Sequence, residues 1–199
     1  MAHWWWASMA VALACAASGP AMAQLEGPLP AGRVSRGTLS FDGHASVGDF
    51  TGTTSEVTGE MTGGSGLEAV RGWVEAPVRS LDTGNRKRDK DLNKSMESEK
   101  YPTIRFELTG VAGGESAADS ANLVLHGRFI IHGVAREAAI PASVIFQPEG
   151  VRVRGQTPLN LKDYKIGGLS KAFGMLKMYP EIVIHVDLTF GATSPEQAS

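Results

Sequence analysis

Apolar and polar positions alternate most clearly in the last third of the chain. Between Leu123 and Ile131, Leu123, Leu125, Gly127, Phe129 and Ile131 fall on one side, and Val124, His126, Arg128 and Ile130 on the other. Between Ile182 and Phe190, Ile182, Ile184, Val186, Leu188 and Phe190 oppose Val183, His185, Asp187 and Thr189. A period of two is the signature of strands that bury one face. In Thr103 to Val111, Ile104, Phe106 and Leu108 alternate with Arg105, Glu107 and Thr109. Ile140 to Gln147 and Val151 to Leu161 supply two more strands around Pro148-Glu149-Gly150.

The first half is less regular. Arg33 to Phe41 reads as a first strand ending in the turn pair Asp42-Gly43, His44 to Val47 as extended, and Gly48 to Gly52 as a tight bend. Thr54 to Thr62 is a strand of mixed facing, and Gly63-Gly64-Ser65-Gly66 a turn. Glu68 to Leu81 reads as a long strand that must bulge or sit at an edge at Pro77, because proline has no N–H for a ladder. Gly113 to Asn122 is a polar loop. Asn85 to Lys100 breaks the pattern. Its dense charge of both signs, with Leu92 and Met96 one helical turn apart, predicts a short exposed helix. Ser170 to Met178 reads as a second short helix or cap.

The strands number about eight. That many antiparallel strands hide an apolar face and lose their edges by closing on themselves, so the expected fold is all-β, an eight-stranded antiparallel barrel with one or two short helices. Trp73, Ile104, Phe106, Leu125, Phe129, Phe146, Val186, Leu188 and Phe190 are candidates for its inner face. A barrel of this size either fills its lumen with side chains or holds one slender ligand. From periodicity alone a packed core is the simpler reading.

The N-terminus adds a destination. Trp4 to Ala17 is an uncharged apolar run, and Ala21-Met22-Ala23 is a small-x-small cleavage site before Gln24. The run is short of the roughly 20 residues a membrane span needs. The expected organisation is a signal peptide over 1–23, a flexible leader over 24–32, the barrel over 33–191 and a tail over 192–199. The single cysteine, Cys15, lies in the segment to be removed, so the mature chain has no disulfide and no thiol nucleophile. These features predict a periplasmic protein.

Charge and motifs exclude more than they suggest. A formal net charge of −2 offers no overall basic field, and no nucleic-acid-reading motif occurs, so nucleic acid is not an expected partner. His126 and His132 sit roughly 20 Å apart along one strand and cannot share a metal. His44 and His185 could meet only through folding. Ser46, Ser80 and Ser170 lie in no nucleophile elbow. Arg88-Asp89 reads as an anion site or, more simply, as a surface ion pair or a tie between helix and strand. No catalytic residue, metal site or cofactor is expected.

Several segments, in order, resemble the YceI-like family of exported polyisoprenoid-binding proteins: Phe41-Asp42-Gly43-His44 with Gly48-Asp49-Phe50-Thr51-Gly52; Leu81-Asp82-Thr83-Gly84; Arg88-Asp89-x-x-Leu92; Tyr101-Pro102-x-Ile104-x-Phe106; Gly127-x-Phe129-x-Ile131-His132-Gly133-Val134; and Asp163-Tyr164-x-Ile166-Gly167. The resemblance spans about Arg33 to Phe190. Met96 stands where many relatives carry phenylalanine. The resemblance implies an extended lipocalin-like barrel whose lumen carries a long-chain isoprenoid, a polyprenyl or quinone-like lipid, without catalysis. Trp73, Met96, Ile104, Phe106, Leu125, Phe129, Val186 and Leu188 are the expected lumen contacts, and His44, Arg88 and Arg128 the possible head-group contacts. Such a carrier would touch membranes transiently. The alternatives are a barrel with a filled core acting as an interaction or stress-response protein, and an enzyme acting on such a lipid through His44 or His185.

Overall fold

The computed structural model describes residues 31–192 apart from 115, 116, 118, 168, 169 and 172–175; the expected signal peptide and most of the leader and tail lie outside the described residues. Ten strands form one antiparallel sheet: β1 Gly32–Ala45, β2 Gly48–Thr54, β3 Thr58–Thr62, β4 Arg71–Pro77, β5 Thr103–Ala112, β6 Ser120–Ile131, β7 Val134–Gln147, β8 Gly150–Asn160, β9 Ser170–Lys171 and β10 Leu176–Ala192. The sheet closes because β1 pairs with β10 from Gly32↔Ala192 to Ala45↔Met178. On its other edge β1 pairs with β3 near its start and with β2 near its end. Strands β2 and β3 thus share one stave of an eight-stave barrel, and β9 is a short addition to β10.

The alternations of β5, β6 and β10 face as expected: Leu123, Phe129, Ile131, Ile182, Ile184, Leu188 and Phe190 are buried. One irregularity escaped the pattern. A bulge between Leu108 and Gly110 shifts the register, so that Val111, not Gly110, stands opposite Leu125.

Asp42-Gly43 does not end the first strand, and Gly48 to Gly52 is not a bend. Both lie in the β1–β2 ladder, where Phe41 faces Gly52 and Gly43 faces Phe50. A Cβ on either glycine would run into the opposing phenylalanine ring. Each glycine is the space its partner's ring covers, and the two rings meet edge to face with centroids 6.0 Å apart. The chain turns instead at Ser46-Val47. Similarly, Thr54 to Thr62 is broken at residues 55–57, and the long strand expected over Glu68 to Leu81 is β4 flanked by short 3-10 turns at Leu67–Ala69 and Val78–Ser80. Pro77 is the last residue of β4, since it has no donor with which to continue.

The expected helix forms as α1, Arg86–Ser95. Asn85 caps it by accepting hydrogen bonds from the backbone N–H groups of Lys87 and Arg88. Leu92 and Met96 turn into the core beside Leu81, Leu161 and Ile166. A second helix does not form over the described part of Ser170 to Met178: Ser170–Lys171 pairs with Leu176 and Lys177 as a β-ladder, which satisfies those backbone groups between strands.

The barrel wall is incomplete at one place. Strand β7 pairs with β8 only from Ala142↔Gly155 to Gln147↔Gly150. Below that, Val134–Pro141 pairs with β6 alone and Gln156–Asn160 with β10 alone. Each separated edge carries a proline near the break, Pro141 and Pro158, which cannot donate to a ladder. A polar recess of about 460 Å³ opens between the strands, lined among others by Arg136, Asn160 and Asp163, with Phe129 at its floor.

Candidate ligand-binding lumen

Two apolar compartments occupy the barrel. The inner one has a free volume of about 120 Å³ and is walled by inward positions of most staves, among them Leu39, Val74, Ile104, Phe106, Leu125, Phe129, Ile140, Val186, Leu188 and Phe190. The rings of Phe106 and Phe129, cross-strand partners, lie 4.9 Å apart, and Phe106 covers Gly127 much as Phe50 covers Gly43.

The outer compartment, about 310 Å³, lies at the end of the barrel where α1 crosses. Phe41, Phe50, Leu81, Leu92, Met96, Leu161, Ile166 and Met178 give it an apolar lining, and Lys87, Arg88, Asp91 and Lys177 bring charge to it. The Arg88 guanidinium lies 4.3 Å from the centre of the Phe50 ring, a cation–π contact that holds the charge over apolar surface. The compartments share no lining residue. Phe41, Ile182, Ile184, Leu159 and Ile131 belong to a packed core that includes the floor of the outer compartment.

The magnitudes matter. An apolar cavity near 150 Å³ holds one benzene-sized guest. The inner compartment therefore accepts roughly one isoprene-sized group as it stands, and a longer chain must displace side chains such as Phe129.

Of the residues expected at the lumen, Ile104, Phe106, Leu125, Phe129, Val186 and Leu188 line the inner compartment, while Met96 lies on the floor of the outer one. Trp73 also borders the inner compartment as part of the β4 wall, but its ring is turned to the outer face. It shares a cross-strand row with Glu60 and Glu107, whose side chains pair with Arg33 and Arg128 on the outer face. Its ring is stacked beneath Arg105, 4.4 Å from the guanidinium carbon. The reason is parity: Val74 and Ala76 take the inward positions of β4, which leaves Trp73 outside.

Of the head-group candidates, only Arg88 reaches a compartment. Arg128 is held on the outer face by Glu107 at 2.7 Å, and this contact, with a second from Arg105, lowers the Glu107 pKa. His44 is 53% exposed and meets Asp49 at 2.8 Å. His185 meets Asp42 at 2.8 Å, and Asp42, whose pKa is lowered first by a hydrogen bond from Thr51 and then by His185, lies between the two histidines. This cluster sits on the outside of β1 and β10, so neither histidine enters the lumen. Among the described residues no group of three or more His, Cys, Asp or Glu side chains is placed to hold a metal.

The remaining motif residues hold the helix end together. Asp89 accepts hydrogen bonds from Thr83, and Asp82 from the Gly84 N–H. His132 and Gly133 form the β6–β7 turn, both at positive φ, the geometry of a type I′ hairpin. His132 Nδ1 donates to the Tyr164 carbonyl at 3.1 Å, and the ring rests against Tyr101. Glu97 Oε1 is 3.2 Å from Nε2, but out of line for a hydrogen bond, which leaves Nε2 buried without an aligned partner. Tyr164 is buried, and this raises its pKa to about 12.

Sequence reading missed Lys87 and Lys177 at the outer compartment, and Leu39 and Phe41 as interior side chains. The alternation of Leu39 and Phe41 was a usable signal for the latter; nothing local marks Lys177, which reaches the mouth through the β1–β10 pairing.

Comparison with known proteins agrees with this architecture. The profile of the YceI-like domain matches residues 34–190. The fold is similar to Burkholderia cenocepacia BcnA, with a TM-score of 0.65 and 15% identity over 76% of this chain and 94% of BcnA. It is similar to a polyisoprenoid binding domain from Saccharophagus degradans implicated in plant cell wall breakdown, with a TM-score of 0.64 and 15% identity over 83% of this chain and 99% of that domain. It also resembles the Campylobacter jejuni YceI protein, with a TM-score of 0.50 and 15% identity over 62% of this chain and 72% of that one. Curated proteins offer no match. A barrel closed by β1 and β10, roofed by α1 and matched to one domain along nearly its whole described length, places this chain in the YceI-like family.

Proposed function

We propose that this protein binds a long-chain isoprenoid-type lipid, polyprenyl or quinone-like, and carries it through the periplasm without chemical turnover after removal of a signal peptide over 1–23. The observation that carries the reading is the pair of apolar compartments, with cationic Lys87, Arg88 and Lys177 confined to the outer one. A lipid tail gains about 0.8 kcal/mol for each buried methylene, and a polar head stays at the charged end. In the bound form the tail runs past Phe41 and Phe129 into the inner compartment. Chain length is read loosely, because one carbon changes affinity by only about 1–3 kcal/mol. The outward position of His44 and His185 weighs against an enzyme acting inside the lumen.

The packed layer between the compartments favours a second reading, a barrel with a filled core that serves as an interaction protein. Native mass spectrometry of the mature protein from a homologous periplasm, with lipid extraction of the same sample, separates the two. A stoichiometric isoprenoid adduct is expected. A clean unliganded mass that stays unchanged on adding quinones or polyprenyl phosphates overturns the carrier reading.

A further inference from the structure

We propose that the α1 end of the barrel is a docking face for anionic membrane. Most arginines of the barrel wall have a local acidic partner: Arg33 pairs with Glu60, Arg105 with Glu75 and Glu107, Arg128 with Glu107, and Arg152 with Asp187. Helix α1 is different. Arg86, Lys87, Lys90 and Lys94 are exposed and make no ion pair among the described residues. Of its acids, Asp89 is engaged with Thr83, and Asp91 has a partner too. Three cations, Arg86, Lys87 and Arg88, occupy the first turn, where the helix dipole favours anions. Such an arrangement works against the helix and is offset when an anionic surface lies against it.

The face is also apolar at its edge. Val47, at the tip of the β1–β2 turn, is 73% exposed, the most exposed large hydrophobic side chain described, and it lines the same outer compartment as Lys87, Arg88 and Lys177. A bilayer supplies both complements at once, phosphate oxygens for the lysines and acyl boundary for Val47, and it places the outer compartment against the lipid surface. The overall charge of −2 hides this patch, although α1 itself carries five basic and two acidic side chains.

The proposal rests on the carrier reading only for its purpose, and one experiment separates the two. The full mature protein is sedimented with vesicles of phosphatidylethanolamine and about 30% phosphatidylglycerol, and with phosphatidylcholine vesicles, at low and high salt. The comparison is the triple variant Arg86→Glu, Lys90→Glu, Lys94→Glu, none of which lines a compartment. Binding of the parent to anionic vesicles alone, weakened by salt and reduced about tenfold or more in the variant, is expected, with the variant's thermal midpoint and lipid adduct retained. Val47→Ser, which removes apolar surface without adding charge, lowers binding further without altering its salt dependence. Parent protein that ignores anionic vesicles, binds both vesicle types equally, or binds as tightly as the triple variant overturns the proposal. Vesicle binding with no lipid adduct in either protein supports docking and removes the carrier reading instead.

Discussion

The Asp89 carboxylate accepts two hydrogen bonds from one residue: Thr83 donates its backbone N–H at 3.0 Å and its hydroxyl at 2.6 Å, both to Oδ1. Two motif segments, Leu81-Asp82-Thr83-Gly84 and Arg88-Asp89-x-x-Leu92, are thereby one structural unit. Leu81 and Leu92 dip into the core on either side of the tie. The loop is in turn bound to β2 through Thr53 and Asp82, which exchange backbone hydrogen bonds. The helix is therefore a fastened roof, and Arg88 is positioned because its neighbour Asp89 is anchored.

Asp89→Ala removes both bonds. Hydrogen bonds to a charged group contribute about 1.5–3 kcal/mol, so a loss of roughly that size is expected in urea unfolding. The far-ultraviolet spectrum should keep its β signal. A stability equal to the parent's would show that α1 is held by Leu92 and Met96 alone.

Phe129 tests the proposed route of the lipid tail into the inner compartment. It is buried, stacks on Phe106, and borders both the inner compartment and the recess between β7 and β8. Phe129→Ala should cost about 3–5 kcal/mol, within the stability of an ordinary domain, and should speed lipid uptake by clearing the path. Phe129→Trp should slow or reduce uptake while the fold survives, measured by fluorescence of a polyene lipid analogue. Equal uptake in both variants would place the tail elsewhere.

Gly127 has no room for a side chain. A Cβ there would strike the Glu107 carbonyl oxygen and the Phe106 ring. Gly127→Ala is expected to destabilise by about 1–3 kcal/mol through overpacking, and Gly127→Ala with Phe106→Leu should recover only part of that, because the clash with the backbone oxygen remains. Chemical denaturation of the three variants measures the coupling.

Asp187 makes the acid side of the stability profile predictable. Hydrogen bonds from Arg152, and then from Arg154, hold its pKa below the ordinary carboxylate value. A lowered folded pKa means that stabilisation is complete above the unfolded value of about 3.9 and disappears as pH falls through the lower folded value. Because the pair is partly exposed and screened, Asp187→Asn should cost at most about 1 kcal/mol at neutral pH. The stabilities of parent and variant should converge as the pH drops well below 4. A gap that persists in acid would mean that the variant acts through packing.

Much of the wall was legible beforehand. Strands β6 and β10 are long, alternate strictly, and bury one face, so period two alone identifies Leu125, Phe129, Val186 and Leu188 as interior. The same rule applied to Trp73 by residue type instead of by parity leads outside, because Val74 and Ala76 own the inner positions of β4. The charged helix was legible from Asn85 onward, since capping and the Leu92–Met96 spacing are local. The β1–β2 region was misread for a physical reason: its glycines look like turn formers in one dimension, and only the opposing strand reveals that Phe50 and Phe41 fill the space above them.

By itself, then, the sequence determined the strand faces, the helix, the export segment as an expectation and the ordered motifs that mark the family, all of which depend on residues close together along the chain. Tertiary structure decided which apolar side chains share a compartment, that Phe41 lines the outer one and Phe129 the inner one, that Arg128 and His44 face outward, and that Lys177 joins Lys87 and Arg88 at one end. These depend on closure of β1 against β10 and on the unpaired edges of β7 and β8, contacts between residues far apart in sequence. Register and closure set which of them meet, and no local pattern encodes that.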